Sequence, residues 1–143
     1  AHAKFGYNTK DNDTSASTSE DFVYELQAEY QLSAKQLIEL QAWRMQQESD
    51  IAAADGILSH TISGTFSQQL GQRAVVSARA GWTTDEYSNN RDDDYLNMSL
   101  SLGYAMQKWF EMSCGYNYVQ RDSSISANDY TSNGIFLNLT GKI

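Results

Sequence analysis

Few groups in this chain can do acid–base or nucleophilic chemistry. There are 2 histidines, His2 and His60, and 1 cysteine, Cys114. A nucleophile needs a base within hydrogen-bond reach and a third group to orient that base. His60 shares its parity with Leu58 and Ile62, so a packing or interfacial role fits it better than catalysis. His2 has no serine–carboxylate set around it, and the serines beside His60 read as small fillers rather than nucleophiles. Cys114 sits at an apolar parity and reads as a small apolar residue. A single cysteine also excludes an intramolecular disulfide. The sequence therefore predicts no catalytic set, no cofactor and no metal cluster. Asp92–Asp94, with Asp85 and Glu86 nearby, offers oxygen ligands for a divalent cation. It lacks the spacing of a calcium loop, and the reading favoured here is a solvated acidic loop.

The remaining charges make sense only once the elements that carry them are drawn. Between Tyr95 and Gln107 the residues Leu96, Met98, Leu100, Leu102, Tyr104 and Met106 are apolar. Asn97, Ser99, Ser101, Gly103, Ala105 and Gln107 between them are polar or small. Successive side chains of a strand point to opposite faces, so this is a strand with one oily and one polar or cramped face. The run exceeds the roughly 9–11 tilted residues that a strand needs to cross a bilayer. The same alternation recurs over residues 1–9, 21–32, 36–47, 57–69, 73–85, 94–107, 109–121 and 130–143. Short connections at 33–35, at 70–72 and around Lys108 recur evenly, and each carries one basic residue: Lys35, Arg73 or Lys108. Long connections span 10–20, 48–56, 86–93 and 122–129. Short turns on one rim and long loops on the other are the pattern of an outer-membrane barrel. The predicted fold is all-β: a transmembrane antiparallel up-and-down β-barrel with eight strands in this chain.

Composition agrees. Mean hydropathy is -0.56 and net charge -8, and no run reaches the roughly 18 apolar residues of a spanning helix. Barrel strands are only half apolar and pass this test. Proline is absent, as long hydrogen-bonded ladders require. The acidic balance argues against nucleic acid as a partner.

Within this frame the charges sort by face. Among the 18 acidic residues, those placed inside strands and away from loop edges are Glu25, Glu29, Glu39 and Glu111. All fall on polar parity, with Lys4, Arg79, Arg121 and Lys142. A basic residue on the lipid face near the midplane costs about 2–4 kcal/mol, which selects for this placement. Arg44 has lipid parity but lies near a strand end, where the cost is small. Glu25, Glu29, Glu39, Arg79, Glu111 and Arg121 are the candidate lumen-lining residues. Two readings of them stay open: a salt-bridged plug, or part of a wider watery lumen. The aromatic residues form two lipid-facing belts. Tyr7, Phe22, Tyr24, Trp82, Tyr116 and Tyr118 come out towards the loops, and Tyr30, Phe66, Tyr104 and Phe110 towards the turns.

The C-terminal half carries more specific strings. Asn90-Arg91-Asp92-Asp93-Asp94-Tyr95 leads to Leu102-Gly103-Tyr104, then Trp109, Gly115-Tyr116-Asn117-Tyr118, Arg121-Asp122-Ser123-Ser124 and Asn128-Asp129-Tyr130 before Asn133. Upstream stand Phe5-Gly6-Tyr7, Glu20-Asp21-Phe22, Trp43-Arg44 and Glu48-Ser49. In order and spacing this resembles the outer-membrane β-barrel family putative β-barrel porin type 2, which is associated with exopolysaccharide and capsule biosynthesis. The resemblance covers nearly all of the chain. It implies a bacterial, Gram-negative outer-membrane location and a longer barrel of which these would be the last eight strands. Ile143 departs from the terminal aromatic usual in that family. No catalytic residues carry over, since the family is not one of enzymes. The expected partners are outer-membrane lipid and, through the resemblance, a surface polysaccharide with other export components. The expected function is a porin-like conduit or accessory in surface polysaccharide export. The alternative is a closed eight-stranded structural or adhesive barrel presenting acidic loops; a barrel enzyme comes third for want of a catalytic set.

Overall fold

The computed structural model describes residues 1–11, 18–47, 56–107 and 109–141, with side chains over all of these but 7–11 and 18–21. Eight strands follow one another: β1 (His2–Asp11), β2 (Thr18–Ser33), β3 (Gln36–Gln47), β4 (Ile57–Leu70), β5 (Ala74–Tyr87), β6 (Asp92–Gln107), β7 (Phe110–Ser123) and β8 (Tyr130–Gly141). They form one sheet in chain order, each strand antiparallel to the next. This is the all-β, up-and-down architecture that the alternation predicts. Among the described residues β1 pairs with β2 alone and β8 with β7 alone, so the sheet is open.

The period of two survives across the whole sheet because the registers keep parity. One lateral row reads Tyr30, Ile38, Phe66, Ala78, Leu100, Tyr116 and Ile135 from β2 to β8. The neighbouring row, one residue along each strand, reads Glu29, Glu39, Thr65, Arg79, Ser99, Asn117 and Gly134. A slip of one residue would send every side chain to the wrong face. The register shifts between Gln31 and Ser33 and between Ala105 and Gln107 lie beside the short turns, past the rows that matter.

Burial runs opposite to that of a water-soluble core. Among the described residues only Ser59, Ser63 and Asp93 are buried, and all three lie on the polar face. The apolar face is bare: Phe5, Tyr30, Ile62, Leu100, Ile135 and Leu137 are all exposed, Ile135 by 88%. A continuous apolar surface of this kind needs a non-aqueous neighbour.

Two glycines matter to the shape. Gly71 has φ +69°, the left-handed conformation that the β4–β5 turn requires. At Gly115 a Cβ would stand 2.5 Å from the Leu100 carbonyl oxygen and 2.6 Å from the Phe136 ring, so only glycine lets β8 lay Phe136 there.

Several strands run further towards the loop rim than the sequence pattern reached. The expected loop at 86–93 contracts to a turn over 88–91, because β5 continues to Tyr87 and β6 starts at Asp92. The Tyr87 amide donates to the Arg91 carbonyl at 2.8 Å, and Asn90 takes φ 63°, a conformation asparagine tolerates. β7 likewise reaches Ser123, followed by a 3-10 turn over Ser126–Asn128. Residues 12–17 of the expected loop at 10–20, residues 48–55 of that at 48–56, Lys108, and the Lys142 and Ile143 expectations lie outside the described residues.

Candidate functional site

The polar face gathers the charged residues singled out from sequence, but spreads them over five strands. Glu25 (β2) is paired with Lys4 (β1), Nζ to Oε2 at 3.1 Å, with side chains 65% and 52% exposed for Lys4 and Glu25. So exposed a pair contributes at most about 1 kcal/mol. Glu29 stands directly opposite Glu39 of β3, two like charges side by side. Arg79 (β5) continues that row beyond Thr65 and donates to the Ser63 hydroxyl at 3.3 Å. Glu111 (β7) lies far off, between Ala105 and Thr140. Arg121 belongs to a separate cluster at the other end of the sheet.

That cluster centres on Asp93, which has no exposed side-chain surface. The β6 register sets it between Asp85 of β5 and Ser123 of β7. Arg91 Nε reaches Oδ1 at 3.1 Å and Arg91 Nη2 reaches Oδ2 at 2.7 Å, a bidentate fork. Arg121 Nη2 donates to Oδ2 at 2.6 Å, and the Ser123 hydroxyl donates to Oδ1. The two arginine side chains are only 11% and 17% exposed. Each lies over tyrosine rings: Arg91 at 4.7 Å from the Tyr87 centroid, Arg121 at 5.4 Å from Tyr95 and 6.0 Å from Tyr130. Asp85 in turn accepts from the Ser59 hydroxyl at 2.6 Å. The hydrogen bond to Asp93 raises the Arg91 guanidinium above its ordinary value, so this cation keeps its proton throughout the working range.

The expectation of a solvated acidic loop at Asp92–Asp94 is therefore corrected at its centre. Asp92 is exposed, but Asp93 points to the polar face and is neutralised by two guanidiniums. Asp94, on the opposite parity, accepts from the Thr84 hydroxyl at 2.6 Å. Among the described residues no group of three or more His, Cys, Asp and Glu side chains converges as a metal site requires. The signal for the cluster was present. Counting equal steps away from the turn at Lys108 sets Tyr95 against Arg121 and Asp93 against Ser123, the observed pairs.

The aromatic residues divide between the faces. The side chains of Phe22, Tyr24, Tyr30, Phe66, Trp82, Tyr104, Phe110, Tyr116 and Tyr118 take the parity of the apolar face. Tyr7 is paired with Phe22 in the backbone, while its side chain lies outside the described set. Tyr118 donates to Gln120 Oε1 at 2.8 Å, and Tyr116 to Asn133, so their hydroxyls are satisfied on an apolar surface. His60 and Cys114 are on this face too, between Arg44 and Thr84 and between Leu102 and Leu137 respectively. A second aromatic set, Trp43, Tyr87, Tyr95, Tyr130 and Phe136, lies on the polar face, where no lipid belt accounts for it.

The family model described as Putative beta-barrel porin 2 matches residues 2–143. No curated protein and no solved structure matches the chain. A match over nearly the whole length, on an up-and-down sheet with one apolar and one polar face, settles the kinship: the chain belongs to the putative beta-barrel porin 2 family, with the porin-like outer-membrane character this carries.

Proposed function

We propose that this chain forms part of the wall of a porin-like outer-membrane conduit, with its apolar face to lipid and its polar face to a passage for a surface polysaccharide. The polar face itself carries the reading. Ser, Thr, Asn and Gln are the largest group of side chains on it, and hydroxyl pairs such as Thr61–Thr83 at 2.8 Å and Ser67–Ser77 at 2.9 Å tie adjacent strands. Hydroxyls and amides offer a sugar polymer many hydrogen bonds, each worth only about 0.5–1.5 kcal/mol net, so it is guided without being trapped. Catalysis has no part in this reading.

In hydrocarbon the free edges of β1 and β8 would leave backbone groups unsatisfied at several kcal/mol each. The conduit therefore requires further strands at both edges. A barrel closed by these eight strands alone would need β1 against β8, and that pairing is not made among the described residues. The experiment is single-channel recording of the protein in planar bilayers, with oligosaccharides added to one side. The expected result is a stable conductance that neutral oligosaccharides block reversibly. A sealed membrane, with correctly inserted protein, contradicts the proposal.

A further inference from the structure

The five aromatic side chains described on the polar face are not all scattered. Three of them share one lateral row, which runs unbroken through the registers of all eight strands: Lys4, Glu25, Trp43, Thr61, Thr83, Tyr95, Arg121, Tyr130. Strands lie about 4.8 Å apart, so Trp43, Tyr95 and Tyr130 follow one another at roughly 10–15 Å, a span of a few sugar rings. A row of cross-strand partners is perpendicular to the strands. In a barrel whose strands tilt by about 35–45° such a row climbs the wall like a screw thread, so the rings stand at successive depths. Between them are Thr61 and Thr83, whose hydroxyls bond each other at 2.8 Å and keep lone pairs for a third group. Tyr130 remains 45% exposed, while Trp43 and Tyr95 are half-buried.

The charge beside this row is held back. Arg121 lies in the row with its guanidinium over one face of Tyr95 and of Tyr130, leaving their other faces to a ligand, and its charge is met by Asp93 at 2.6 Å; Arg91 is clamped to the same carboxylate. Asp85 adds a negative charge in the next row, next to Asp93. The opposed Glu29 and Glu39 add two more on the same face. Along this row a polyanion thus meets arginines compensated by Asp93, with the exposed Arg79 four residues away from Thr83 on β5, whereas an uncharged polymer meets rings and hydroxyls.

We propose that the row from Trp43 to Tyr130 is a binding track for uncharged sugar polymer, in which Trp43, Tyr95 and Tyr130 stack on pyranose faces and Asp93 is a positioning residue that withholds the arginine charge from the passage. The track rests on the conduit reading above and names its substrate class. The apolar C–H face of a pyranose ring is the complement of an aromatic face, and its equatorial hydroxyls reach Thr61 and Thr83. Acidic polysaccharide is disfavoured by the same wall.

The test uses the protein in detergent micelles, with Trp82→Phe and Trp109→Phe so that Trp43 is the sole indole. Maltoheptaose and laminariheptaose serve as neutral probes and heptagalacturonate as the acidic one. At least one neutral probe is expected to shift Trp43 emission saturably. Tyr95→Ala and Tyr130→Ala should each weaken that binding at least tenfold, and Tyr24→Ala on the apolar face should not. Heptagalacturonate should bind at least tenfold more weakly than the neutral probe, and Asp93→Asn should narrow that gap. If the Asp93 variant fails to fold, the Tyr130 variant still decides. Absence of any saturable response to both neutral probes overturns the track, as does tight binding that survives Tyr95→Ala and Tyr130→Ala. If the same sugars still block bilayer currents, the conduit stands and the track alone is wrong. A Trp43 response in a protein that carries no current keeps the track and removes the conduit.

Discussion

Asp93 and Glu25 are both carboxylates paired with cations, yet their surroundings assign them opposite weights. Asp93 has no exposed side-chain surface and answers two arginines, whereas Glu25 and Lys4 meet in the open. Removing one partner of a buried pair leaves an uncompensated charge and costs about 3–5 kcal/mol. Asp93→Ala is therefore expected to lower unfolding stability by that amount in urea titrations of the micelle-bound protein. Glu25→Ala should stay within about 1 kcal/mol. Equal losses would mean that the arginines are not held by Asp93. Gly115 gives a second contrast. A methyl group there meets the Leu100 carbonyl, which is backbone, as well as the Phe136 ring. Gly115→Ala should cost about 1–3 kcal/mol as overpacking. Adding Phe136→Ala should not restore full stability, because the carbonyl contact remains; complete restoration would show the ring to be the only obstacle. Neither feature was read from residue types alone. Asp93 stands in a run of three aspartates that looks like solvent-facing chain, and only the pairing of β6 with β7 brings Arg121 and Ser123 to it.

The strands were legible because one physical rule, alternation between unlike faces, acts on every residue of them. Their centres and parities follow directly from that rule: Leu96 to Met106 on one side of β6, Asn97 to Ala105 on the other. Their loop-side ends did not follow. At Tyr87, Asp92 and Ser123 the strands persist through lateral polar bonds, such as the Asp92 amide to the Ser124 hydroxyl at 3.0 Å. Polar residues there look like loop to any argument built on hydropathy. The inward aromatic set was missed for a related reason. Trp43, Tyr95 and Tyr130 sit on three different strands, and their shared row exists only across registers. The parity of β6 makes its own forecast. Leu100 is 54% exposed on the apolar face, so Leu100→Arg should cost about 2–4 kcal/mol of stability in the bilayer. Ser99→Arg, one residue away and in the row of Arg79, should be better tolerated. Folding yields into vesicles measure both. Equal damage would indicate an interior already filled with side chains.

The molecule as a whole is a sheet turned inside out with respect to a soluble protein. Among the described residues the buried side chains are two serines and an aspartate, while large apolar side chains such as Ile135, Leu137 and Leu100 are bare. Family, topology and register agree on what such a sheet is for. What the proposed conduit would admit is a matter of chemistry on its polar side, where hydroxyl rows, arginines bound to Asp93 and inward rings lie together. Two faces with two different solvents are the premise of everything proposed here. Spin labels placed one at a time at residues 96–106 of β6, in the protein reconstituted into vesicles, report that premise residue by residue. Labels at Leu96, Met98, Leu100, Leu102, Tyr104 and Met106 should be relaxed by oxygen dissolved in lipid. Labels at Asn97, Ser99, Ser101, Gly103 and Ala105 should respond instead to a water-soluble nickel chelate. The two profiles should oscillate out of phase with a period of two. Profiles that lack the oscillation, or that put the nickel chelate against Met98 and Leu100, would contradict it.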